Sequence, residues 1–295
     1  MNNFLLLINW GIGHSVLKTV MNHVDPRQIT VISGSDITSS DKFKRDISFF
    51  CKKKGIKLIN QEKADLEKYF KINDIVISAA YPNIINENNL KIPRYGVINL
   101  HGSMLPKSRG VSPVNWSLIR GEDSVGLTTH CMEKIVDSGD ILYQTKIPIS
   151  ISDSVHSLSD KISKEAVNHV NFILKNIKNL SKFKRHQNLK QSTLAPRLTD
   201  NDYHVCIHDY KNAKALIMGI KGRFYKDNLP YFFAKNCKFY INHVELLKQD
   251  LKVGQGLIVD RIKKVVIFEY IDALIAVTIN SDEKDTFKIG DIIDG

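Results

Sequence analysis

The first hundred residues alternate between short apolar runs and segments of helical spacing, and few folds accept that pattern. FLLLINW (4–10) and DIVISAA (74–80) show no polar face, and QITVISG (28–34), IKLIN (56–60) and GVINLH (96–101) are further short strand-like runs. A strand that is apolar on both sides is covered on both sides, as in a parallel sheet sandwiched between helices. HSVLKTVMNHV, DKFKRDISFFCKKKG, ADLEKYF and NIINENNL supply the helical segments between the runs, with Gly55 ending the second. The expected fold is α/β, a doubly wound, mostly parallel Rossmann-like sheet. Gly11 and Gly13 follow the first run, but Val16 stands where a dinucleotide fingerprint needs its third glycine. A tight strand-to-helix turn beside a ligand fits better.

From Asp153 the texture becomes one long amphipathic helix. Leu158, Ile162, Ala166, Val170, Ile173 and Ile177 recur at three- and four-residue spacing, with Asp153 or Ser154 available as the N-cap. This stripe reads as core, and His156 and His169 receive no functional role. SKFKRHQNLKQSTLAPRLT (181–199) loses the periodicity and reads as a connection, its Lys182, Lys184 and Arg185 a solvated surface. Beyond it come one helix, NAKALIMGIKGRF, and short β-rich runs: YFFAKNCKFYINHVELL, GQGLIVDRI, KKVVIFEYI and ALIAVTI. They suggest a small, barrel-like β-rich domain. The expected division is residues 1–180, a linker over 181–199, and a β-rich domain over 200–295.

An apolar fraction of 43% and a charged fraction of 25% in 295 residues exclude a disordered chain. No apolar run is long enough to cross a bilayer, so no membrane partner is expected. MNNFLLLINW lacks a basic flank and a small-residue cleavage site, and reads as a buried strand rather than a signal peptide. Cys51, Cys131, Cys206 and Cys237 are scattered without a C-x-x-C, which points to a reducing cytoplasm and no structural metal. The net charge of +11 attracts RNA, nucleotide diphosphates and polyglutamylated cofactors alike, and does not choose among them.

The chemistry concentrates between Gly96 and Tyr143. Asn99 and His101 lie two apart at the end of an apolar strand, so they project to one side. That end of an open α/β sheet is where ligands bind. An amide can donate to a developing oxyanion, a near-neutral imidazole can take a proton, and a carboxylate such as Asp137 can orient that imidazole or hold an ammonium. Gly102-Ser103 lacks the G-x-S-x-G context of a nucleophile elbow, so the nucleophile is expected from a substrate. An amine attacking an activated acyl group needs this set of groups. The alternative is a capped strand end and a D-S-G turn, which has less weight once the residues are taken together.

Asn99-Leu-His101-Gly-Ser-Met-Leu-Pro106, Arg109-Gly110-x-x-Pro113, Gly121-Glu122, Gly126-Leu-Thr128-x-His130-x-Met132 and Ile135-Val-Asp137-Ser-Gly139-Asp140 together resemble the signature of the N10-formyltetrahydrofolate-dependent formyltransferases. SAAYPNII resembles the segment that precedes the family's catalytic strand, and the tail beyond residue 200 resembles its barrel-like C-terminal domain more loosely. The resemblance implies that Asn99, His101 and Asp137 are the catalytic triad and N10-formyltetrahydrofolate the formyl donor. It places the pterin between Tyr81, Pro82 and Ile84 on one side and Lys134, Ile135, Val136 and Asp137 on the other, with Met104 and Leu105 nearby. His130 reads as a residue that packs or bonds locally. For Arg109, a phosphate and a backbone carbonyl are equal alternatives.

The acceptor amine divides the family. Purine-pathway enzymes lack the Arg-Gly loop and the C-terminal domain. The tRNA enzymes carry a basic insertion after the second strand, where this chain reads GSDITSSDKFKRD, and they favour an Ala-Ala-Pro-Ile loop. Gly110-Val-Ser-Pro113-Val-Asn-Trp116 resembles instead the enzymes that formylate nucleotide-linked (dTDP, UDP or GDP) amino sugars for surface polysaccharide such as lipopolysaccharide O-antigen. Trp10, Gly11, Lys107 and Arg109 are then candidates to meet the nucleotide. Methionyl-tRNA formyltransferase is the alternative, so tRNA remains a possible partner. A silent folate- or nucleotide-binding module is a reading of another class, disfavoured because binding alone does not need all three polar residues. A related hydrolase carries a regulatory domain ahead of its catalytic half, whereas here the catalytic pattern starts at Met1. Apolar strands after residue 230 suggest a sheet edge that pairs with a second copy, a homodimer.

Overall fold

The computed structural model describes residues 2–34, 42–224, 228–234, 237–251, 255–262, 264–280, 291 and 293. Part of the GSDITSSDKFKRD stretch, residues 35–41, lies outside these described residues. The elements run β1 (Phe4–Ile8), α1 (Trp10–Met21), β2 (Ile29–Ser33), α2 (Lys42–Lys54), β3 (Lys57–Asn60), α3 (Leu66–Lys71), β4 (Ile75–Ala79), α4 (Glu87–Leu90), β5 (Val97–His101), α5 (Pro113–Ile119), β6 (Ser124–Cys131), β7 (Ile141–Pro148) and α6 (Val155–Asn176). The remainder is α7 (Ala213–Gly222), β8 (Tyr231–Ala234), β9 (Cys237–Gln249), β10 (Gln255–Ile262), β11 (Val265–Tyr270) and β12 (Ala273–Asn280). The chain forms two compact units. One comprises Met1–Pro113, Val125–Pro148 and Ser157–Ala195, the other Val114–Ser124, Ile149–His156 and Pro196–Gly295.

The first unit is built on a seven-stranded sheet in the order β3-β2-β1-β4-β5-β6-β7. Strands β1 to β5 pair in parallel and β6 turns antiparallel to β5, so the sheet is mostly parallel and doubly wound. All five residues of β1 and of β4 are buried, which is why their sequences carry no polar face. The chain winds outward from β1 through β2 and β3, then returns to lay β4 on the other side of β1. Ligands of doubly wound sheets bind at the carboxyl ends of strands at such a reversal. Asn9 ties this end together. Its side-chain oxygen accepts from Ser33 Oγ and the Gly34 N–H, both at 3.0 Å, and its amide donates to Gln61 Oε1 and the Ala80 carbonyl, both at 3.3 Å. The same Asn9 stands at the N-cap of α1 and makes no side-chain capping bond there.

Helix α6 buries Leu158, Ile162, Ala166, Val170 and Ile173 as its spacing predicts, and ends one residue before Ile177. His169, fully buried on the same face, sits between Thr129 Oγ1 (2.7 Å from Nδ1) and Thr145 Oγ1 (2.9 Å from Nε2). Burial lowers its pKa to about 4. It is a neutral core residue.

The second unit carries a five-stranded sheet in the order β10-β11-β12-β9-β8, antiparallel at every pairing. Its core joins Leu216, Ile217 and Ile220 of α7 to Phe232, Phe239, Phe268, Tyr270 and Val277 of the strands. The Tyr270 hydroxyl donates to the carbonyls of Ile207 and Tyr210 at 2.5 Å each. Gly222 and Gly121 let helices approach within this unit, since a Cβ on Gly222 would stand 2.8 Å from the Asn115 carbonyl oxygen.

Candidate active site

Strand β5 ends in Asn99 and His101, and its antiparallel neighbour β6 sets His130 opposite Asn99 in register. Directly opposed residues of an antiparallel pair touch, and Asn99 Nδ2 lies 3.2 Å from His130 Nε2. His130 Nδ1 lies 2.8 Å from the carbonyl of Cys131, which can only accept. The hydrogen of His130 is therefore on Nδ1, and Nε2 accepts from the Asn99 amide. His101 is fixed by the same reasoning. Its Nε2 lies 2.9 Å from the Ser108 carbonyl and must carry the hydrogen, leaving Nδ1 as a bare base.

Asp137 completes the cluster. Its Oδ2 faces His101 Nδ1 at 3.5 Å and its Oδ1 faces His130 Nε2 at 3.4 Å, while the Gly110 N–H donates to Oδ2 at 2.9 Å. Burial opposes a carboxylate here, but the Gly110 N–H and the positive charge the flanking imidazoles carry when protonated hold Asp137 well below the usual carboxylate range. For His101 burial is the larger effect and lowers its pKa, while Asp137 and the Ser108 carbonyl pull the other way. The ground state is thus an ionised Asp137 beside a neutral His101. A proton arriving at Nδ1 would meet the carboxylate at once.

The loops around the cluster are pinned from several sides. Thr128 Oγ1 donates to the Ser103 carbonyl at 2.6 Å and accepts from the Leu105 N–H at 3.2 Å, and Gln144 Nε2 donates to the Leu105 carbonyl at 2.9 Å. Ser108 (φ 54°) and Asp137 (φ 53°) both adopt left-handed backbone, which is uncommon outside glycine. Such conformations persist only where the surroundings over-determine them. Gly110 (φ 117°) is required on two counts, since a Cβ there would also come 2.7 Å from the Ala195 carbonyl oxygen.

Beside the cluster, Lys134 of the loop carrying Asp137 pairs its Nζ at 3.4 Å with Oε2 of Glu87, the first residue of α4, just past the loop that follows β4. Both loops present apolar side chains to solvent: Ile84 is 83% exposed, Ile135 64% and Val136 52%. Tyr81 is half-buried and packs on the core with Met132, and Pro82 is exposed. Met104 lies over Gly126, and Leu105 is buried. Exposed aliphatic side chains on two such loops can pack against the face of a planar ring. Among the described residues no His, Cys, Asp and Glu cluster is arranged to hold a metal ion, and no helix is long and apolar enough to cross a membrane.

Other sequence-nominated residues separate. Trp10 and Gly11 open α1 at the end of β1, two strands from β5 and so roughly 10 Å away across the sheet. Trp10 is partly exposed with φ 59°. Lys107 is exposed, but Arg109 is only 7% exposed, and its Nη2 donates to Gln187 Oε1 at 2.6 Å while its buried Nε has no hydrogen-bond partner among the described residues. His130 and Gln187 are additions to the site. Register opposite Asn99 identifies His130 once β6 is known to pair with β5, whereas Gln187 sits in an aperiodic stretch that gives no signal.

The methionyl-tRNA formyltransferase of Caldanaerobacter subterraneus subsp. tengcongensis is 34% identical over 178 residues, which are 57% of this chain and 57% of that protein. The bifunctional polymyxin resistance protein ArnA of Wigglesworthia glossinidia brevipalpis is 51% identical over 89 residues, 30% of this chain and 14% of that protein. The matches thus span less than two thirds of the length of these relatives. Among solved structures, an N-formyltransferase from Helicobacter canadensis, in complex with folinic acid and dTDP-3-aminofucose, superposes with a TM-score of 0.74 over 95% of this chain and 100% of that one. Its identity of 20% makes this a likeness of fold. The formyl transferase family model matches residues 15–174, more than half of the chain and all of the cluster just described, and the chain belongs to that family.

Proposed function

We propose that this protein transfers a formyl group from N10-formyltetrahydrofolate to the amine of a nucleotide-linked amino sugar. The observation that carries the chemistry is the bare Nδ1 of His101 set between a buried carboxylate and the strand end, with the Asn99 amide beside it. The donor supplies an activated formyl carbon and a nitrogen leaving group. As the acceptor amine bonds to that carbon, its proton passes to His101 Nδ1, where Asp137 stabilises the imidazolium. Asn99 gives one N–H hydrogen to His130 and keeps the other for the developing oxyanion. When the bond from carbon to the donor nitrogen breaks, His101 returns the proton to that nitrogen. The apolar loops at Ile84 and Ile135–Val136 are the proposed pterin slot.

A sugar acceptor is supported by the whole-length likeness of fold to an enzyme solved with dTDP-3-aminofucose. The Gly110-Val-Ser-Pro113-Val-Asn-Trp116 form of the central loop supports it too. The second reading, methionyl-tRNA, is favoured by the curated relative at 34% identity. The two separate in one assay: N10-formyltetrahydrofolate is offered with a panel of nucleotide-linked amino deoxysugars or with charged initiator tRNA, and formylated product is followed by mass. Formylation of tRNA alone would end the sugar reading. Formate release without an acceptor would replace transfer by hydrolysis, and cofactor binding without turnover would make the protein a binding module.

A further inference from the structure

Residues 184–195 carry no long regular element, yet they are stitched to both loops that build the cluster. At one seam Arg185 and Ile141 exchange N–H···O=C bonds, each 2.9 Å. At the other, the Arg109 N–H donates to the Thr193 carbonyl at 2.9 Å, the Ala195 N–H to the Arg109 carbonyl at 2.6 Å, and the Ser108 N–H to Thr193 Oγ1 at 2.9 Å. Gln187 stands between the seams. Its Oε1 accepts from Arg109 Nη2 at 2.6 Å, and its Nε2 donates to the carbonyls of Asp137 (2.9 Å) and Gly139 (2.7 Å).

The Asp137 turn needs such an anchor. Ile135 and Val136 project into solvent, so the turn has no core of its own, and Asp137 holds a left-handed backbone that disfavours any residue with a Cβ. Its carboxylate reaches the other loop through the Gly110 N–H. Gln187 adds a link that bears on the backbone of the turn, and it does so from the same loop segment that positions the Ser108 carbonyl under His101.

We propose that Gln187 is a positioning residue for formyl transfer: it clamps the Asp137 turn to the Ser108–Gly110 loop and so holds the Asp137 carboxylate against His101 Nδ1. The inference rests on the function proposed above for its catalytic meaning. The charged and titratable groups facing His101 are Asp137, which favours its protonation, and His130 and Arg109, which oppose it. Loosening the Asp137 turn therefore weakens the one favourable charge.

The test uses Gln187→Met, which keeps the volume and removes both hydrogen-bonding functions, and Gln187→Asn, which keeps the amide on a shorter stem. The titration midpoint of the His101 imidazole is read by NMR in the ligand-free protein, its resonance assigned with a His101→Gln variant. Turnover is read separately as kcat and KM. The midpoint should fall in Gln187→Met and fall less in Gln187→Asn, and kcat should drop by roughly ten- to a hundredfold with KM for the amine nearly unchanged, as expected of a misplaced base. A folded Gln187→Met protein with the wild-type midpoint and wild-type kcat would overturn the proposal. Because the midpoint needs no formyl donor, a shifted midpoint in a protein whose wild type formylates nothing would uphold the clamp and overturn the assigned function instead.

Discussion

His101 is pulled in two directions, by burial toward neutrality and by Asp137 toward the charged form, and burial is the stronger. The neutral imidazole is the proposed base, so kcat/KM should persist below pH 6.5, the ordinary imidazole value, and fall only as pH drops through the lower value of the buried group. The same sign applies to stability: His101 contributes fully above pH 6.5, and that contribution is lost on acidification. A pH–rate profile with its acid limb at or above pH 6.5 would show that the carboxylate outweighs burial. Asn99→Ala should lower kcat by roughly a hundred- to a thousandfold, the usual effect of removing one oxyanion donor, and leave a folded protein. A kcat within tenfold of wild type would remove Asn99 from that role. Gly110→Ala should destabilise the chain by about 1–3 kcal/mol in a urea titration, because a left-handed backbone and the Ala195 carbonyl both resist a Cβ.

At the scale of elements, the strands were legible because burial on both faces leaves an uninterrupted apolar run, as in FLLLI and IVISA. Asn99 and His101 were legible because polar residues two apart at a strand end share a face. Asp137 is a candidate by its chemistry, but it lies in a turn whose place beside His101 depends on tertiary closure, and only the family pattern implies that the two act together. The antiparallel insertion of β6 hides His130 for the same reason, since register between strands is not written in either strand alone. Gln187 is less visible still, being one polar residue among many in an aperiodic stretch. Asn9 shows what such a residue can hold: it joins the ends of β1, β2 and β4 through Ser33, Gly34 and Ala80. Asn9→Ala should cost about 1–3 kcal/mol, the range for leaving buried polar partners unsatisfied, as measured by denaturant unfolding. An unchanged unfolding midpoint would mean that water replaces the amide.

For the whole molecule, the net charge of +11 has a measurable consequence. A nucleotide diphosphate meets few cations, so KM for a sugar nucleotide should rise only modestly between low and physiological salt. A tRNA acceptor would release many counterions and lose affinity by orders of magnitude over the same range. A steep salt dependence of the productive acceptor would therefore favour tRNA. The strap of residues 184–195 bears on how the molecule comes into being. Every strand of the seven-stranded sheet is complete by Pro148, yet Arg109 and the Asp137 turn find Gln187 only 78 and 50 residues further along the chain. Contacts so distant in sequence form late, because the intervening chain must first be ordered. During synthesis from the amino end, the sheet can be assembled while the base at its rim is still loose. On this order the chain acquires its sheet before the clamp proposed for its base.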